Sequence, residues 1–389
     1  MGGVSDADNM LIQGYSVAPE NAPPRVLHVI TPSRMAGAET FLARLMRRGD
    51  PALVTQHCVA SRSAATVEMR IADMTFETLG ISGKLNLLAM PRILQAARDF
   101  RADLLHSHLS TASWWCGWLE RFGGPPSIGH VHGFTSSLWH SQQAHLIACS
   151  EAVKADMIQK GIEGRRITVL NYPVDPNDQR PHRSPADVRA EFGVDASTPV
   201  VGTFAHLSIK KGYRELVRAA ELVLNHIPKA QFWCFGDGPL RGELEEHARA
   251  AGISDRFRLL GFRRDVPDLM RTIDVMCLPS HREPFGLVYV EAALAETPVI
   301  ACDAGGAPEI IEHGESGLLI RPQNVPDLTH AILTLLDNRT HAASLARRAR
   351  EEALTRFTWP RYLANLRDVY HRVLDREPVA APATERKAA

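Results

Sequence analysis

Pro279-Ser-His-Arg-Glu-Pro-Phe-Gly-Leu-Val-Tyr-Val-Glu-Ala-Ala-Leu-Ala295, with Val275-Met-Cys-Leu278 before it and Thr297-Pro-Val-Ile-Ala301 after it, reads as strand, loop, helix and strand. The flanking runs are short and apolar, as strands buried on both faces are. Pro284 and Gly286 prevent a helix from continuing out of Glu283, so Glu283 falls in the loop, and Phe285 or Gly286 opens the helix that carries Glu291. Two carboxylates thus flank a helix N-terminus. The unpaired amides of Gly286, Leu287 and Val288, with the positive end of the helix dipole, suit a phosphate. Carboxylates beside it accept hydroxyls and suit the vicinal diols of a sugar and a ribose. A glutamate near a helix start is also a common dipole partner, so the specificity lies in the whole segment.

Working outward, the same alternation fills both halves. Strand-like runs fall at 25–30, 54–60, 104–107, 127–130, 146–149 and 167–170, then at 200–204, 231–235, 257–260, 275–278 and 299–301, separated by helix-length segments such as 39–46, 91–101 and 214–224. This is the habit of a parallel sheet. Between them, at 171–185, the periodicity stops and Pro173, Pro176, Pro181 and Pro185 mark an interdomain linker. The expected fold class is α/β, with two doubly wound, Rossmann-like parallel-sheet domains at 24–178 and 186–359. Residues 1–23 and 377–389 are expected to be loose tails. The carboxyl ends of such sheets are the usual place for ligands, and the two are expected to face a central cleft.

A second chemical segment is Val200-Gly-Thr-Phe-Ala-His-Leu-Ser-Ile-Lys-Lys-Gly-Tyr213, a strand and a glycine-containing loop that ends in a basic pair. Lys211 fits a diphosphate, where a cation neutralises charge building on a leaving group. In the first half, Ser33-Arg-Met-Ala-Gly-Ala-Glu39 joins strand to helix, and a residue as small as Gly37 either makes a tight turn or lets backbone approach a ligand closely. His106, His108, His130 and His132 end two predicted strands. Their His-x-His spacings lack acidic or cysteine ligands beside them, so no metal site is expected.

Bulk numbers exclude more than they assign. The 389 residues hold 44 Lys plus Arg against 44 Asp plus Glu, so no global field draws nucleic acid. Cys58, Cys116, Cys149, Cys234, Cys277 and Cys302 form no CxxC pair and read as reduced core thiols. No stretch approaches the length of a membrane span and no secretory signal is apparent, so a cytoplasmic location is expected.

Residues 279–301 resemble the Glu-x7-Glu motif of glycosyltransferase family 4, and the flanking Pro279-Ser280 and Pro298-Val-Ile-Ala301 match as well. The weaker turn signals Phe235-Gly-Asp-Gly-Pro239, Leu260-Gly-Phe-Arg-Arg-Asp-Val266 and Gly305-Gly-Ala-Pro-Glu-Ile-Ile311 follow in the family's order. The resemblance covers 25–375 and implies the GT-B fold, with an acceptor-binding first domain, a donor-binding second domain and a last helix, 360–376, that returns to the first. That helix should start at Thr358 with Pro360 in its first turn.

The resemblance also implies roles. Glu283 would hold donor-sugar hydroxyls, Glu291 the ribose, and the amides of Phe285, Gly286 and Leu287 the sugar and diphosphate. Backbone atoms of Phe262 and Arg263 would cradle the base, Lys211 would face the diphosphate, and His132 would lie near the transferred sugar. Ser33 to Glu39 resembles the family's Gly-Gly-Ala-Glu loop, which would put Gly37 at the cleft. Three positions depart from the pattern: Ala36 replaces the first Gly of that loop, His206 stands where the family usually has Arg, leaving open whether it donates to phosphate or only caps the loop while Lys210 supplies the second charge, and Glu296 stands where Gly is common.

The implied reaction is retaining transfer from a nucleotide-diphosphate sugar, on the front face, with no cofactor and no metal. A nucleotide-sugar epimerase and an inactive scaffold of the same fold are the alternatives. Uridine, guanosine and adenosine donors stay open. The acceptor is expected to be a saccharide or lipid-linked saccharide. Trp114-Trp115-Cys-Gly-Trp118 reads first as a helix packing into the core, and second as a contact with sugar or with lipid at the inner membrane face.

Overall fold

The computed structural model describes residues 23–32, 37–63, 76–81 and 83–374. The expectations for the tails beyond these bounds, and for Ser33 to Ala36, fall outside the described residues. The chain divides into two compact units: one ends at Asn171 and resumes at Pro360, and the other runs from Tyr172 to Trp359. The proline-rich stretch begins within the second unit, where the Val174 N–H donates to Phe357 O over 2.8 Å.

In the first unit seven parallel strands lie in the order β3-β2-β1-β4-β5-β6-β7. They are β1 Arg25–Ile30, β2 Thr55–Ser61, β3 Glu77–Leu79, β4 Leu104–His108, β5 Ser127–Val131, β6 His145–Ala148 and β7 Ile167–Val169. Because side chains alternate along a strand, the register decides which residues share a face. Leu27, Val29 and Leu105 share a core with Ile93, Trp115 and Leu119 of the helices Ala89–Phe100 and Ser110–Arg121. His28 is registered beside His106, and His108 beside His130, which stacks these rings together. The helix Trp359–Leu374 reaches this row through Tyr370, whose hydroxyl lies 2.8 Å from His106 Nδ1.

The second unit has six parallel strands in the order β10-β9-β8-β11-β12-β13. These are β8 Val200–Phe204, β9 Gln231–Phe235, β10 Phe257–Gly261, β11 Val275–Leu278, β12 Val299–Cys302 and β13 Leu318–Ile320. This is the Rossmann order, with sequence direction reversing between β8 and β11. Val201, Phe232, Cys277 and Ile300 anchor a core shared with Leu216 and Ala220 of the helix Tyr213–His226 and with Leu328 and Ile332 of the helix Val325–Asp337. All six cysteines are free and buried, as expected for core thiols.

Glu296 adopts φ 55, a left-handed conformation that glycine takes more readily, and it is held by an ion pair with Arg350. The chain therefore accepts local strain at this helix end.

Candidate active site

At the point where strand order reverses, loops leave adjacent strands in opposite directions and open a crevice at their carboxyl ends. The loop after β8 carries Lys211, and the loop after β11 carries Glu283. Gly212 follows Lys211 with φ 73, and a Cβ there would lie 2.0 Å from Pro279 O, so only glycine lets the first loop seat on the second. The His281 N–H donates to Lys210 O over 2.9 Å and ties the loops again.

This seating brings Lys211 Nζ to 2.6 Å from Glu283 Oε2, with side-chain exposures of 18% and 11%. Ser280 Oγ donates to the same oxygen over 2.9 Å. The main chain of Glu283 is fixed from the other side, where the Gly306 N–H donates to Glu283 O over 2.7 Å. A charge-assisted pair with a third donor gives Glu283 one orientation.

The helix Leu287–Leu294 starts immediately after Gly286. Its first turn holds no acidic residue and Gly286 supplies no side-chain cap, so glutamate capping does not explain this N-terminus. Gly286 has φ 97, and a Cβ there would come within 2.3 Å of the Tyr289 ring. Tyr289 is buried, and its hydroxyl donates to Leu278 O. Phe285 is buried too, with its ring edge-on to Tyr172 and Phe357, so only its main chain can meet a ligand. Leu287 and Glu291 are half-buried on this helix.

The remaining expected donor residues are spread along neighbouring loops. His206 is exposed on the loop after β8. Asp237 lies near enough that the His206 ring contributes, behind Arg241 and the Gly238 amide, to holding its carboxyl below the usual range. Phe262 is 75% exposed. The Arg263 guanidinium grips Asp265 with two nitrogens and Glu191 with a third contact at 2.8 Å, so its side chain is committed to ion pairs. Its main chain is the part left for a base.

In the first unit, Gly37 opens the helix Gly37–Arg48, and no described atom lies within 4 Å of a Cβ built there. His132 Nε2 lies 3.0 Å from His108 Nδ1, and its ring stacks on His130 with centroids 4.2 Å apart. Burial is the main cause that lowers the pKa of His132 to about 3 and of His28 to about 4, and it pushes His106, His108 and His130 well below the ordinary value. One nitrogen from each of His28, His106 and His108 lies within 4.8 Å of the others, as does one from each of His108, His130 and His132. Such groups could hold a metal ion. The first group was hidden in the sequence because it depends on β1 lying beside β4; the second is made of the strand-end histidines for which no metal site was expected.

Residues 186–352 match the family described as Glycosyl transferases group 1, and residues 35–178 match Glycosyltransferase Family 4. The chain belongs to glycosyltransferase family 4. The family-4 chain is 34% identical over 169 residues to a 2-deoxystreptamine N-acetyl-D-glucosaminyltransferase of Niallia circulans, covering 42% of this chain and 43% of that protein. It is 32% identical over 197 residues to a 2-deoxystreptamine glucosyltransferase of Streptomyces kanamyceticus, covering 49% of this chain and 50% of that protein. These matches thus span about half the length of those relatives.

Its fold matches that of Anabaena HepE, solved with UDP and glucose, at a TM-score of 0.80 and 24% identity, over 89% of this chain and 99% of that one. HepE has also been solved with UDP-glucose. The expected GT-B fold class stands.

Proposed function

We propose that this family-4 chain transfers a glycosyl residue, with retention, from a nucleotide-diphosphate sugar to a hydroxyl acceptor. The observation that carries this reading is the Lys211–Glu283 pair at the strand-order reversal, next to a helix start without side-chain caps. The ammonium and the amides of Leu287 and Val288 would neutralise the diphosphate as the glycosidic bond breaks. Glu283 would accept hydroxyls of the sugar, and Glu291 those of the ribose. The departing diphosphate oxygen would take the acceptor proton on the same face. Lys211 and the helix terminus supply positive charge without a divalent ion, so transfer proceeds in the presence of chelator.

HepE was solved with UDP and UDP-glucose, which puts uridine nucleotides first among donors to test. For the acceptor, a lipid-linked saccharide at the inner membrane face is favoured by exposed Leu85, Leu87, Leu88 and Phe122 in the first unit. Lys84 lies among them, its ammonium 3.9 Å from the Trp139 ring. Trp115 is buried as the core reading expects, whereas Trp114 packs edge-on against Trp118 and Trp139, and both it and Trp118 are half-buried.

The test is a melting-temperature panel with UDP, GDP, ADP and their glucose, mannose and N-acetylglucosamine derivatives, followed by NMR of the product anomer. One nucleotide family should raise the melting point of wild type and leave Lys211→Ala unmoved. No shift with any nucleotide, or a product of inverted configuration, would refute the assignment.

A further inference from the structure

Neighbouring strands set the side chains of one sheet face beside each other, and in the first unit this gathers three histidines. His28 of β1 is registered beside His106 of β4, and His108 follows two residues later on the same face. All three are fully buried. His28 Nδ1 lies 3.1 Å from His108 Nε2, and the His106 ring sits against both, with centroids 4.9 Å and 4.4 Å away. We infer that His28 Nδ1, His106 Nε2 and His108 Nε2 bind one zinc ion, which fastens β1 to β4 inside the first unit.

Zinc–nitrogen bonds of about 2.0–2.1 Å at a tetrahedral angle set ligand nitrogens about 3.3 Å apart. The pair from His28 and His108 already has that spacing, and one nitrogen from each of the three rings lies within 4.8 Å of the others. A ligating imidazole carries its hydrogen on the other nitrogen, and that N–H needs an acceptor. Each ring has one at hand. Gln56 Oε1 is 2.9 Å from His28 Nε2, the Tyr370 hydroxyl 2.8 Å from His106 Nδ1, and His132 Nε2 3.0 Å from His108 Nδ1.

His106 Nε2, in contrast, is buried with no hydrogen-bond partner among the described residues. Such an atom is costly to bury, and a hydrogen bond between His28 and His108 alone does nothing for it, whereas a metal bond satisfies it. The donor set also selects the ion: three imidazoles without carboxylate or thiolate suit zinc, while calcium and magnesium need oxygen. Three protein ligands leave one position of a tetrahedral ion for a water. Because the rings are fully buried, the ion enters as the chain folds, and a chelator reaches it only through unfolding. It belongs to the first unit and Lys211 and Glu283 to the second, so it has no part in the charge stabilisation proposed for transfer.

The full chain, expressed in zinc-supplemented medium and gel-filtered in chelator, should hold one zinc by elemental analysis and release it to a chromogenic chelator on unfolding in urea. X-ray absorption at the zinc edge should show three imidazole nitrogens at about 2.0–2.1 Å and no sulfur. His28→Gln and His106→Gln should each lose the ion, whereas His130→Gln should keep it, with urea midpoints showing which variants fold. Folded wild type with less than about a tenth of a zinc per chain overturns the inference, as does sulfur at the ion. So does zinc retained by folded His106→Gln. Zinc kept by His28→Gln and lost from His130→Gln would put the ion among His108, His130 and His132 and likewise overturn it. Should neither ligand variant fold, the absorption edge of wild type decides, since fewer than three imidazoles there refutes the site.

Discussion

Lys211 Nζ donates to Glu283 Oε2 over 2.6 Å, so the cation assigned to the diphosphate and the carboxylate assigned to the sugar are each other's partner. Opposite charges held at one spot need little reorganisation to receive a ligand that carries both an anion and hydroxyls. They also hold each other in place.

Removing either member should slow transfer by roughly 100- to 1000-fold, the usual cost of one preorganised contact to developing charge. Lys211→Ala and Glu283→Gln should each do this with the melting point changed by only a few degrees. The double variant should lose less than the product of the two, because the residues act as a unit. Initial rates with the donor from the nucleotide panel check this, and a Lys211→Ala rate within threefold of wild type would remove Lys211 from the mechanism.

Gly212→Ala should damage the site without touching a charge. Its φ of 73 costs an L-residue about 1–2 kcal/mol, and the new methyl would meet Pro279 O at 2.0 Å. Backbone cannot swing aside as a side chain can, so the two loops must part. We expect at least about 2 kcal/mol of destabilisation by urea titration, together with loss of nucleotide binding.

Much of this site was legible because it is local. The segment 279–301 holds the loop carboxylate, the helix start and the next strand in continuous sequence, and β1, β8, β9 and β11 appeared with their observed bounds because apolar runs end sharply there. The three-residue strands β3 and β13 escape the sequence reading because they exist only by pairing with a neighbour, whereas β7, equally short, falls inside the apolar run 167–170. The Lys211–Glu283 bond was hidden for the same reason: it joins loops 72 positions apart and requires β8 beside β11. His-x-His could be read twice, yet His28 joins these rings only through the register of β1 with β4.

Glu296→Gly should stabilise the chain. A left-handed φ of 55 strains glutamate, and glycine removes a cost of about 1–2 kcal/mol while losing an exposed ion pair to Arg350 worth roughly 0–1 kcal/mol. The melting point should rise by a few degrees with kcat unchanged, because Glu296 lies outside the proposed machinery. A lower melting point would show that the ion pair outweighs the strain.

Leu85 is 94% exposed and Leu87 78%, which is unusual for leucines in one short loop. If they dip into a bilayer beside Lys84, the variant Leu87→Asp with Leu85→Asp should lose co-sedimentation with vesicles containing anionic lipid. Its hydrolysis of donor in solution should match wild type. Wild-type protein that stays in the supernatant would remove the membrane from the proposal.

Acid should unfold the first unit before its carboxylates protonate. Unfolded histidines take up protons as pH falls through about 6.5. In the folded chain burial delays His28 to about 4 and His132 to about 3, and holds His106, His108 and His130 well below their ordinary value. Below pH 6.5 the unfolded state therefore binds more protons, so stability rises with pH and falls on acidification. Each such ring contributes up to about 1.4 kcal/mol per pH unit, and these five packed together make the loss several kcal/mol within a single unit, a large part of a typical folding free energy of about 5–15 kcal/mol. Urea midpoints at pH 7.0, 6.0 and 5.5 should fall steeply, and His130→Gln should reduce proton uptake on unfolding by one. Midpoints that stay level across this range would mean that the rings are already charged or wet in the folded protein.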